Sequence, residues 1–453
     1  MSDPAAGSVP ASAPQGAPSD APIPEVTGPV IRKVAVSSFL GNFIEWFDYG
    51  SYSYFATIIA AVFFASEDPT VALISTFAVF AVSFVMRPIG ALFWGSMGDK
   101  KGRKWALSVS IFLMSGATFL IGCLPSYTVI GLGAPLLLLL LRMVQGFSAA
   151  GEYAGAATFL AEYAPAKKRG LYCSIVPAST SVGLLVGSTL ATLMTIFLSQ
   201  EAILSWGWRI PFLLAGPLGL VAHYIRTKLE DSPTYQAMQD NLAKKEHGVQ
   251  HPVRDLFKHH SRELIVSFGA CMLNAVGFYA VLTYLPTYLE TAVGMPAESS
   301  QMATTIALVA YVAFVFISGK LSDTFGRKKM LITACVLFVV LTVPAFMLLN
   351  TADFFIVLAV ELVMCFILTI NDGTLSSYLT ETFPTDVRYT GFALSFNLAN
   401  AIFGGTAAMI STALIAATGS TVAPAWYMVI IALIALIAMI LSHENSHKDL
   451  DSI

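Results

Sequence analysis

The sequence predicts an all-α membrane protein with twelve transmembrane helices arranged in two pseudo-symmetric six-helix bundles. Of its 453 residues, 56% are hydrophobic and only 12% are charged, whereas a soluble domain carries about 25% charged residues. The apolar residues form runs of roughly 20, the length at which a helix crosses a bilayer. Basic residues are concentrated in every second connection between these runs, and two polar motifs occur twice along the chain.

Each element follows from the order of the apolar and polar segments. Residues 1–33 are rich in Pro, Ala and Ser, which predicts a disordered cytoplasmic tail and not a secretory signal. Residues 34–227 form the first six-helix bundle and residues 263–441 the second, with a charged cytoplasmic linker at 228–262 and a short cytoplasmic tail at 442–453. The predicted spans cover residues 34–62, 71–96, 105–124, 134–161, 172–198, 210–227, 263–289, 302–320, 330–349, 354–379, 391–415 and 425–441.

The distribution of basic residues predicts the orientation of these spans. All but three of the 25 Lys and Arg residues fall in one alternate set of connections or in the flanking tails. The exceptions are Arg209 at a helix edge and Arg87 and Arg142 inside spans. Short connections rich in Lys and Arg stay in the cytoplasm, so both termini are predicted to be cytoplasmic.

Two loop motifs repeat in the same order in the two sets of spans. Residues 95–104 follow the second span and residues 319–328 follow the eighth, 224 residues later. Residues 162–169 follow the fourth span and residues 381–388 follow the tenth, 219 residues later. Two motifs repeating at nearly one offset indicate two related halves, as in many transporters.

Charged residues of these motifs are predicted to form a cytoplasmic gate. Asp99 is placed to accept N–H groups at the start of a helix from the other half. Arg103 is expected to bridge Asp99 and Glu162, and Arg327 to bridge Asp323 and Glu381. The predicted gate therefore comprises Asp99, Arg103, Glu162, Asp323, Arg327, Glu381 and Arg388. In the alternative interpretation these Lys and Arg residues serve topology only, which we favour for Lys100, Lys101 and Lys104.

The first span carries two acids near its middle, Glu45 and Asp48. An intramembrane charge costs on the order of 2.5–3.5 kcal/mol on insertion scales. The two acids are three residues apart and so share one helix face. With Glu152, three acids of the N-terminal half face two arginines, Arg87 and Arg142. A purely bracing role for either acid is the competing interpretation.

This charge mismatch suggests proton coupling. A buried carboxylate without a positive partner favours its protonated form, so a solute that competes for an arginine links its own binding to that of a proton. We expect Glu45 or Asp48, together with Glu152, to take part in proton coupling. Arg142 or Arg87 is expected to meet a substrate carboxylate, because guanidinium groups bind carboxylates in a bidentate manner. Structural pairing of Arg87 with Glu152 is the alternative.

The C-terminal half offers fewer polar candidates. Asn274 lies on the seventh span, and Asp372 interrupts the tenth without a basic residue on that span. Asp372 is predicted to bind a substrate cation or a second proton. Glu361, nearer the outer end, is expected to reach toward water and is assigned no role. Aromatic residues of the first span are candidates for a cage around a quaternary ammonium, with helix packing as the alternative: Trp46, Tyr49 and Tyr52.

These motifs carry a family resemblance. The loop pattern G-x-x-x-D-(R/K)-x-G-R-(R/K) at residues 95–104, repeated at 319–328, resembles that of the major facilitator superfamily. Further stretches resemble its metabolite:proton symporter family, which includes proline/glycine-betaine, α-ketoglutarate, shikimate and citrate transporters. They lie at residues 41–50, 87–90, 145–153, 206–212 and 383–388.

The resemblance implies a proton-driven symporter that imports a small polar organic solute by alternating access in a bacterial inner membrane. A zwitterion such as proline or glycine betaine is favoured because intramembrane acids outnumber bases, and an organic carboxylate is the alternative. A proton-antiporting exporter and a sensor without transport remain open. The expected partners are protons, the solute and membrane lipids, and a monomer is expected.

Other function classes find little support in the sequence. A net charge of −3 gives no indication of nucleic-acid binding. Neither a nucleophile–base pairing nor a phosphate loop appears, so the protein is not predicted to be an enzyme. The only histidine cluster, His259-His260, lacks a third ligand at suitable spacing, so no metal or other cofactor is predicted.

Overall fold

The computed structural model describes residues 28–64, 68–101, 103–228, 252–384, 387–446, 448 and 450. Most of the predicted N-terminal tail and of the central linker lies outside these residues. Within the described ranges the secondary structure is helical. The prediction of an all-α membrane protein is thereby confirmed.

Twenty α-helices make up the described part of the chain. They are α1 Gly28–Tyr54, α2 Ala56–Phe63, α3 Pro69–Lys101, α4 Arg103–Cys123, α5 Tyr127–Ile130, α6 Gly133–Ser148, α7 Glu152–Tyr163, α8 Arg169–Cys173, α9 Ile175–Phe197, α10 Gln200–Ala202, α11 Arg209–Lys228, α12 Pro252–His259, α13 Ser261–Phe278, α14 Leu285–Tyr288, α15 Ala297–Phe325, α16 Arg327–Leu349, α17 Phe354–Thr382, α18 Arg388–Ala399, α19 Ala407–Thr418 and α20 Ala423–Leu441. Short turns of other helix types are Ala166–Lys168 (3₁₀) and Ile203–Gly207, Tyr279–Tyr284, Leu289–Val293 and Asn400–Gly404 (π).

The helices are long and apolar because a bilayer offers no water to backbone N–H and C=O groups. In the described ranges, nine helical stretches have the length and composition needed to cross a membrane, and Ser108–Cys123 is a shorter apolar helix. The helices α1 and α11 complete a set of twelve. Both carry basic residues at one end, as expected for a span that begins or ends at a charged loop.

Several predicted spans are interrupted in the structure, two of them at residues 149–151 and 400–404. The run 134–161 consists of α6 and α7, which are separated at residues 149–151. At this break the Asn397 side chain donates a hydrogen bond to the Ala150 carbonyl at 3.1 Å. The run 391–415 contains the π turn Asn400–Gly404. Breaks of this kind frequently accompany functional sites in helices.

The N-terminal helices (residues 34–227) and the C-terminal helices (residues 263–441) contact each other at three levels. We call the end with residues 164–170, 326–328, 382–384 and 387–388 the basic end, and the opposite end the far end. The far-end contacts include Tyr54 with the Leu282 carbonyl and Thr305 with Ser188 and Thr192. Tyr153 and Ser376 meet between the two ends at 3.1 Å, and Arg169 pairs with Glu381 at the basic end.

Local sequence signals explain where the important helices α16 and α17 begin. The Asp353 carboxylate accepts hydrogen bonds from the N–H groups of Phe355 and Ile356, both at 3.0 Å, and so caps α17. Gly326 separates α15 from α16 with φ 91°, a conformation that residues with a side chain rarely adopt.

Candidate functional site

The intramembrane acids of α1 are both paired with arginines. The Arg87 guanidinium donates to the Glu45 carboxylate at 2.7 Å, and the side chains are almost completely buried. Glu152, in the first turn of α7, lies close enough to Glu45 for electrostatic repulsion. The structure therefore pairs Glu45 with Arg87 and places Glu152 within electrostatic range of Glu45.

A second pair lies beside the first. Arg142 is 3.3 Å from Asp48, and the Gln145 amide donates to Asp48 at 2.9 Å while its oxygen accepts from Arg142 at 2.8 Å. Thr118 accepts a further hydrogen bond from Gln145. Sequence reasoning missed Gln145, although its position three residues after Arg142 puts both on one helix face.

These pairs leave several buried polar atoms without a hydrogen-bond partner in the described part of the chain. They are Glu45 Oε2, Arg87 Nε, Arg142 Nε and Arg142 Nη2. A buried ion pair is stable only when good geometry offsets the loss of solvation. Because Arg87 and Arg142 each keep at least one guanidinium nitrogen without an acceptor among the described residues, either arginine can exchange its carboxylate partner for another anion.

The aromatic residues of α1 are divided between two environments. The rings of Tyr49 and Tyr52 lie against the Arg142 guanidinium, with its central carbon 5.0 and 4.3 Å from the ring centroids. Arg87 lies 4.7 Å from the Tyr49 ring and 6.0 Å from that of Trp46. Tyr49 and Tyr52 thus pack on the arginines, and the Tyr49 ring also contacts that of Trp46, with centroids 5.9 Å apart.

Asp372 lies near the middle of α17 and accepts hydrogen bonds from two neighbouring helices. Asn274 of α13 donates to one carboxylate oxygen at 2.5 Å, and the Tyr311 hydroxyl of α15 donates to the other. The sequence predicted Asn274 and Asp372 as site residues, and the structure brings them together. Tyr311 was missed, because nothing in the sequence links one tyrosine of α15 to α17.

A small cavity opens beside Asp372, between the N-terminal and C-terminal helices. Its free volume is about 10 Å³, roughly the space of one water molecule. Tyr153 and Phe396 stack at its wall with ring centroids 4.4 Å apart. The lining residues are Trp46, Tyr153, Pro177, Thr180, Asn274, Phe278, Asp372, Phe396 and Asn400. Of the aromatic cage predicted from the sequence, Trp46 alone appears in this lining.

At the basic end, Arg327 contacts both predicted partners. It forms ion pairs with Asp323 at 2.9 Å and with Glu381 at 3.1 Å, and all three side chains are buried. Arg169 of the N-terminal helices also reaches Glu381, at 2.9 Å. Arg169 was missed as a gate residue, although its repeat counterpart is Arg388.

Asp323 also contacts the start of a helix from the other half. Its oxygens accept hydrogen bonds from the N–H groups of Gly170 at 2.8 Å and Leu171 at 3.0 Å. A Cβ at Gly170 would lie 2.6 Å from the Gly319 carbonyl oxygen, so only glycine permits this approach. The sequence predicted this geometry for Asp99, the repeat counterpart of Asp323. The side chains of Asp99, Arg103 and Glu162 lie outside the described residues.

Arg388, the remaining predicted gate residue, is buried. Its Nε donates to the carbonyls of Thr380 and Phe383 at 3.0 and 3.1 Å. These contacts hold the end of α17 to the start of α18. A second guanidinium nitrogen donates to the Leu450 carbonyl of the C-terminal tail at 2.7 Å.

The expectation for Glu361 was wrong. Its side chain does not extend to water but is 2% exposed and accepts a hydrogen bond from Thr304 at 3.1 Å. The residue lies about 10 Å into α17, where the contact between α15 and α17 covers it. The position of Glu361 along its own helix could not reveal that α15 packs against it.

Two sets of six helices around a buried polar centre, joined by charged contacts at one end, define a membrane transporter. The model of the Major Facilitator Superfamily matches residues 38–388 and 267–451. The chain therefore belongs to the major facilitator superfamily, a family of transporters and not of enzymes.

Several characterised proteins are similar to this chain over most of its length. The glycine betaine/proline/ectoine/pipecolic acid transporter OusA of Dickeya dadantii is 37% identical over 93% of this chain and 85% of its own. The proline/betaine transporter of Escherichia coli K12 is 36% identical with the same coverage. The structure of the proton:xylose symporter XylE superposes with a TM-score of 0.73 at 19% identity, over 93% of this chain and 98% of that chain.

Proposed function

We propose that this transporter imports a small zwitterion, such as proline or glycine betaine, together with protons. The observation that carries the proposal is the central cavity, in which the Asp372 carboxylate faces aromatic residues from both halves of the molecule. A cationic nitrogen is attracted both by a carboxylate and by the faces of aromatic rings. The relatives named for proline and betaine transport support the same substrate class.

The carboxylate of such a solute would meet Arg87. Trp46 lines the cavity, and the central carbon of the Arg87 guanidinium lies 6.0 Å from the centroid of its ring. A displacement of Trp46 would open Arg87 to the cavity, where its unpartnered Nε supports carboxylate binding. Arg142 lies behind Tyr49 and Tyr52 and is the second candidate for this role.

Proton coupling follows from the same contact. Glu45 has Arg87 as its cationic partner, so a solute carboxylate that takes over Arg87 leaves Glu45 to bind a proton. Nearby Glu152 repels the ionised form of Glu45 and favours this step. Asp48, held by Arg142 and Gln145, is the alternative proton carrier.

Transport would proceed by rocking of the two bundles, 34–227 and 263–441, about the central site. The basic end would face the cytoplasm of a bacterium, with both termini on that side and lipid around a monomer. The contacts of Arg327, Glu381, Asp323 and Arg169 would form when that end closes and separate when it opens.

A second candidate function is proton symport of an organic carboxylate. The specific observation in its favour is that both intramembrane arginines have guanidinium nitrogens without a hydrogen-bond partner among the described residues. Such a solute would use Arg87 and Arg142 and would have no need of Asp372.

Uptake into proteoliposomes under an inward proton gradient tests the proposal. The panel comprises glycine betaine, proline, α-ketoglutarate, shikimate and citrate. Accumulation of the zwitterions that disappears when the gradient is collapsed supports it. Accumulation of the carboxylates alone would favour the second candidate. Solute efflux driven by the same gradient would indicate an exporter. Solute binding without any counterflow of solute across the membrane would indicate a sensor.

A further inference from the structure

Glu361 is a buried carboxylate that the transport cycle described above does not use. Its Oε1 accepts from the Thr304 hydroxyl, whereas Oε2 has no hydrogen-bond partner among the described residues. One helical turn before Thr304, the Gln301 Oε1 atom is also buried and without a donor in this part of the chain. An ionised glutamate and an amide oxygen can only accept hydrogen bonds, so two acceptors here lack a donor.

We propose that Glu361 is a second proton-binding site, loaded when the far end closes. A proton on Oε2 would supply the missing donor and would remove the cost of burying an ionised carboxylate without a cation. This inference rests on the proton coupling proposed above but concerns a different carboxylate. Asp372, about three turns further along the same helix face, differs because both of its oxygens already accept hydrogen bonds.

The surroundings of Glu361 connect it to closure of the far end. Tyr54 of α1 and Cys365 of α17 are the titratable groups that interact with its carboxylate in the described structure. The Tyr54 hydroxyl donates to the Leu282 carbonyl at 2.7 Å, and Gln301 donates to the Tyr54 carbonyl at 3.4 Å. These contacts join α1 to the C-terminal helices, and Gln301 lies one turn from Thr304, the hydrogen-bond donor of Glu361. Opening them would admit water and permit ionisation, and closing them would require the proton.

The proton:solute stoichiometry tests this site. It is measured from the reversal potential in proteoliposomes for wild type, Glu361→Gln and, as a control that keeps the carboxylate, Thr304→Val. We expect Glu361→Gln to transport with one proton fewer per solute and Thr304→Val to keep the wild-type ratio. The same ratio in Glu361→Gln and wild type would overturn the inference. A wild type without any proton coupling would instead overturn the proposed function.

A second measurement does not depend on turnover. In a Cys123→Ser background, Thr305, which contacts Ser188 and Thr192 across the far end, is replaced by cysteine and labelled with an impermeant maleimide. With Glu361 present we expect labelling, relative to that of a free thiol at the same pH, to slow as the external pH falls, because protonation favours closure. With Glu361→Gln we expect slow labelling at every pH. An identical pH response in both backgrounds would contradict the role of Glu361.

An independent set of contacts concerns the C-terminal tail, residues 442–450. Glu444 accepts hydrogen bonds from the N–H groups of Arg327 and Lys328, at 3.2 and 2.9 Å, and so caps α16. Asn445 donates to the Glu381 carbonyl at 3.0 Å. Arg169 of the N-terminal helices donates to the Lys448 carbonyl at 3.2 Å. The tail thus contacts both halves at the gate.

The end of this tail inserts an apolar side chain between helices. Leu450 is 9% exposed and packs with Ala161 and Cys173 of the N-terminal helices, while its carbonyl accepts from Arg388 of the C-terminal helices. We infer that the tail is a strap that keeps the basic end closed and detaches when that end opens. Release of the strap would lower the stability of the closed state, because the contacts of the strap with both halves exist only in that state.

Cys173 provides a native reporter of strap release, because it is buried in contact with Leu450. Cys271, Cys335 and Cys365 are buried elsewhere in the described chain, whereas Cys123 is exposed. In a Cys123→Ser background we measure maleimide labelling of Cys173 in three proteins: one with the intact strap, one with Leu450→Asp and one truncated after Ser442. His443→Ala, an exposed position, is the control. Labelling of Cys173 is expected to rise about tenfold in the two strap variants, and unchanged labelling in Leu450→Asp would contradict the inference.

Discussion

Arg169 donates a hydrogen bond to Glu381 at 2.9 Å although 212 residues separate them in the chain. Arg169 ends the first copy of one repeated motif, and Glu381 begins its second copy. Glu381 also binds Arg327, which in turn binds Asp323. Asp323 accepts a hydrogen bond from the Gly170 N–H at the start of α8. One continuous cluster therefore joins the N-terminal and C-terminal helices, and Glu381 is the carboxylate that its two arginines share.

Replacing Glu381 by Gln is expected to open the basic end. The change leaves Arg169 and Arg327 without their shared anion, and loss of a buried partner costs about 3–5 kcal/mol. We expect faster labelling of Cys173 in a Cys123→Ser background and a fall of about tenfold in the uptake rate. Glu263→Gln, at the same end, is the control and should leave both unchanged. Wild-type labelling and uptake in Glu381→Gln would show that the cluster does not hold the gate.

Replacing Glu45 by Gln is expected to remove the coupling proton that Glu45 carries. Glutamine preserves the size of the side chain but cannot bind and release a proton. Gradient-driven accumulation should fall, with one proton fewer per solute, while exchange of labelled for unlabelled solute should continue, and combining Glu45→Gln with Glu361→Gln should abolish accumulation. Wild-type uptake should increase as external pH falls from about 8 to 5, since protonation of Glu45 accompanies import, and exchange by the double variant should be independent of pH in this range.

The comparison with Asp48→Asn identifies the proton carrier. If Glu45 carries the proton, Asp48→Asn should retain some accumulation, because Arg142 keeps its hydrogen bond to Gln145. Full accumulation by Glu45→Gln together with none by Asp48→Asn would transfer the role to Asp48.

Replacing Asp372 by Asn is expected to weaken binding of solutes with a cationic nitrogen. Loss of the negative charge in the cavity should raise the Kd for glycine betaine and proline by about 10- to 100-fold. The matched control is Asp353→Asn at the cap of α17, which should cost at most about 1 kcal/mol of stability and leave the Kd unchanged. Equal affinity of wild type and Asp372→Asn, measured by equilibrium binding, would place the cationic nitrogen elsewhere.

The sequence predicts the twelve helices and one cluster of charged residues at the basic end because both depend on local patterns. Apolar runs mark the helices, and the repeated motifs place Asp323, Arg327 and Glu381 near one another. The central cavity depends on contacts between distant helices, so Tyr311, Phe278 and Phe396 could not be found in this way. Glu361 shows the same limit, since depth along one helix does not reveal that another helix covers it. The pairing of Glu45 with Arg87 was suggested by equal depth, but the contact of Arg87 with Trp46, a residue of the cavity lining, requires the structure.

The aromatic wall of the cavity is expected to distinguish glycine betaine from proline. A trimethylammonium group has no N–H and depends on ring faces, whereas the proline nitrogen also donates hydrogen bonds to a carboxylate such as Asp372. Phe396→Leu removes one ring of the Tyr153–Phe396 stack. A cation–π contact contributes about 1–2 kcal/mol when desolvated, so the Kd for glycine betaine should rise about tenfold and that for proline much less. Phe392→Leu, which alters a ring next to Phe396 but outside the cavity lining, is the control in the same competition assay. An equal loss of affinity for both solutes would mean that the wall provides shape alone and does not recognise the methylated cation.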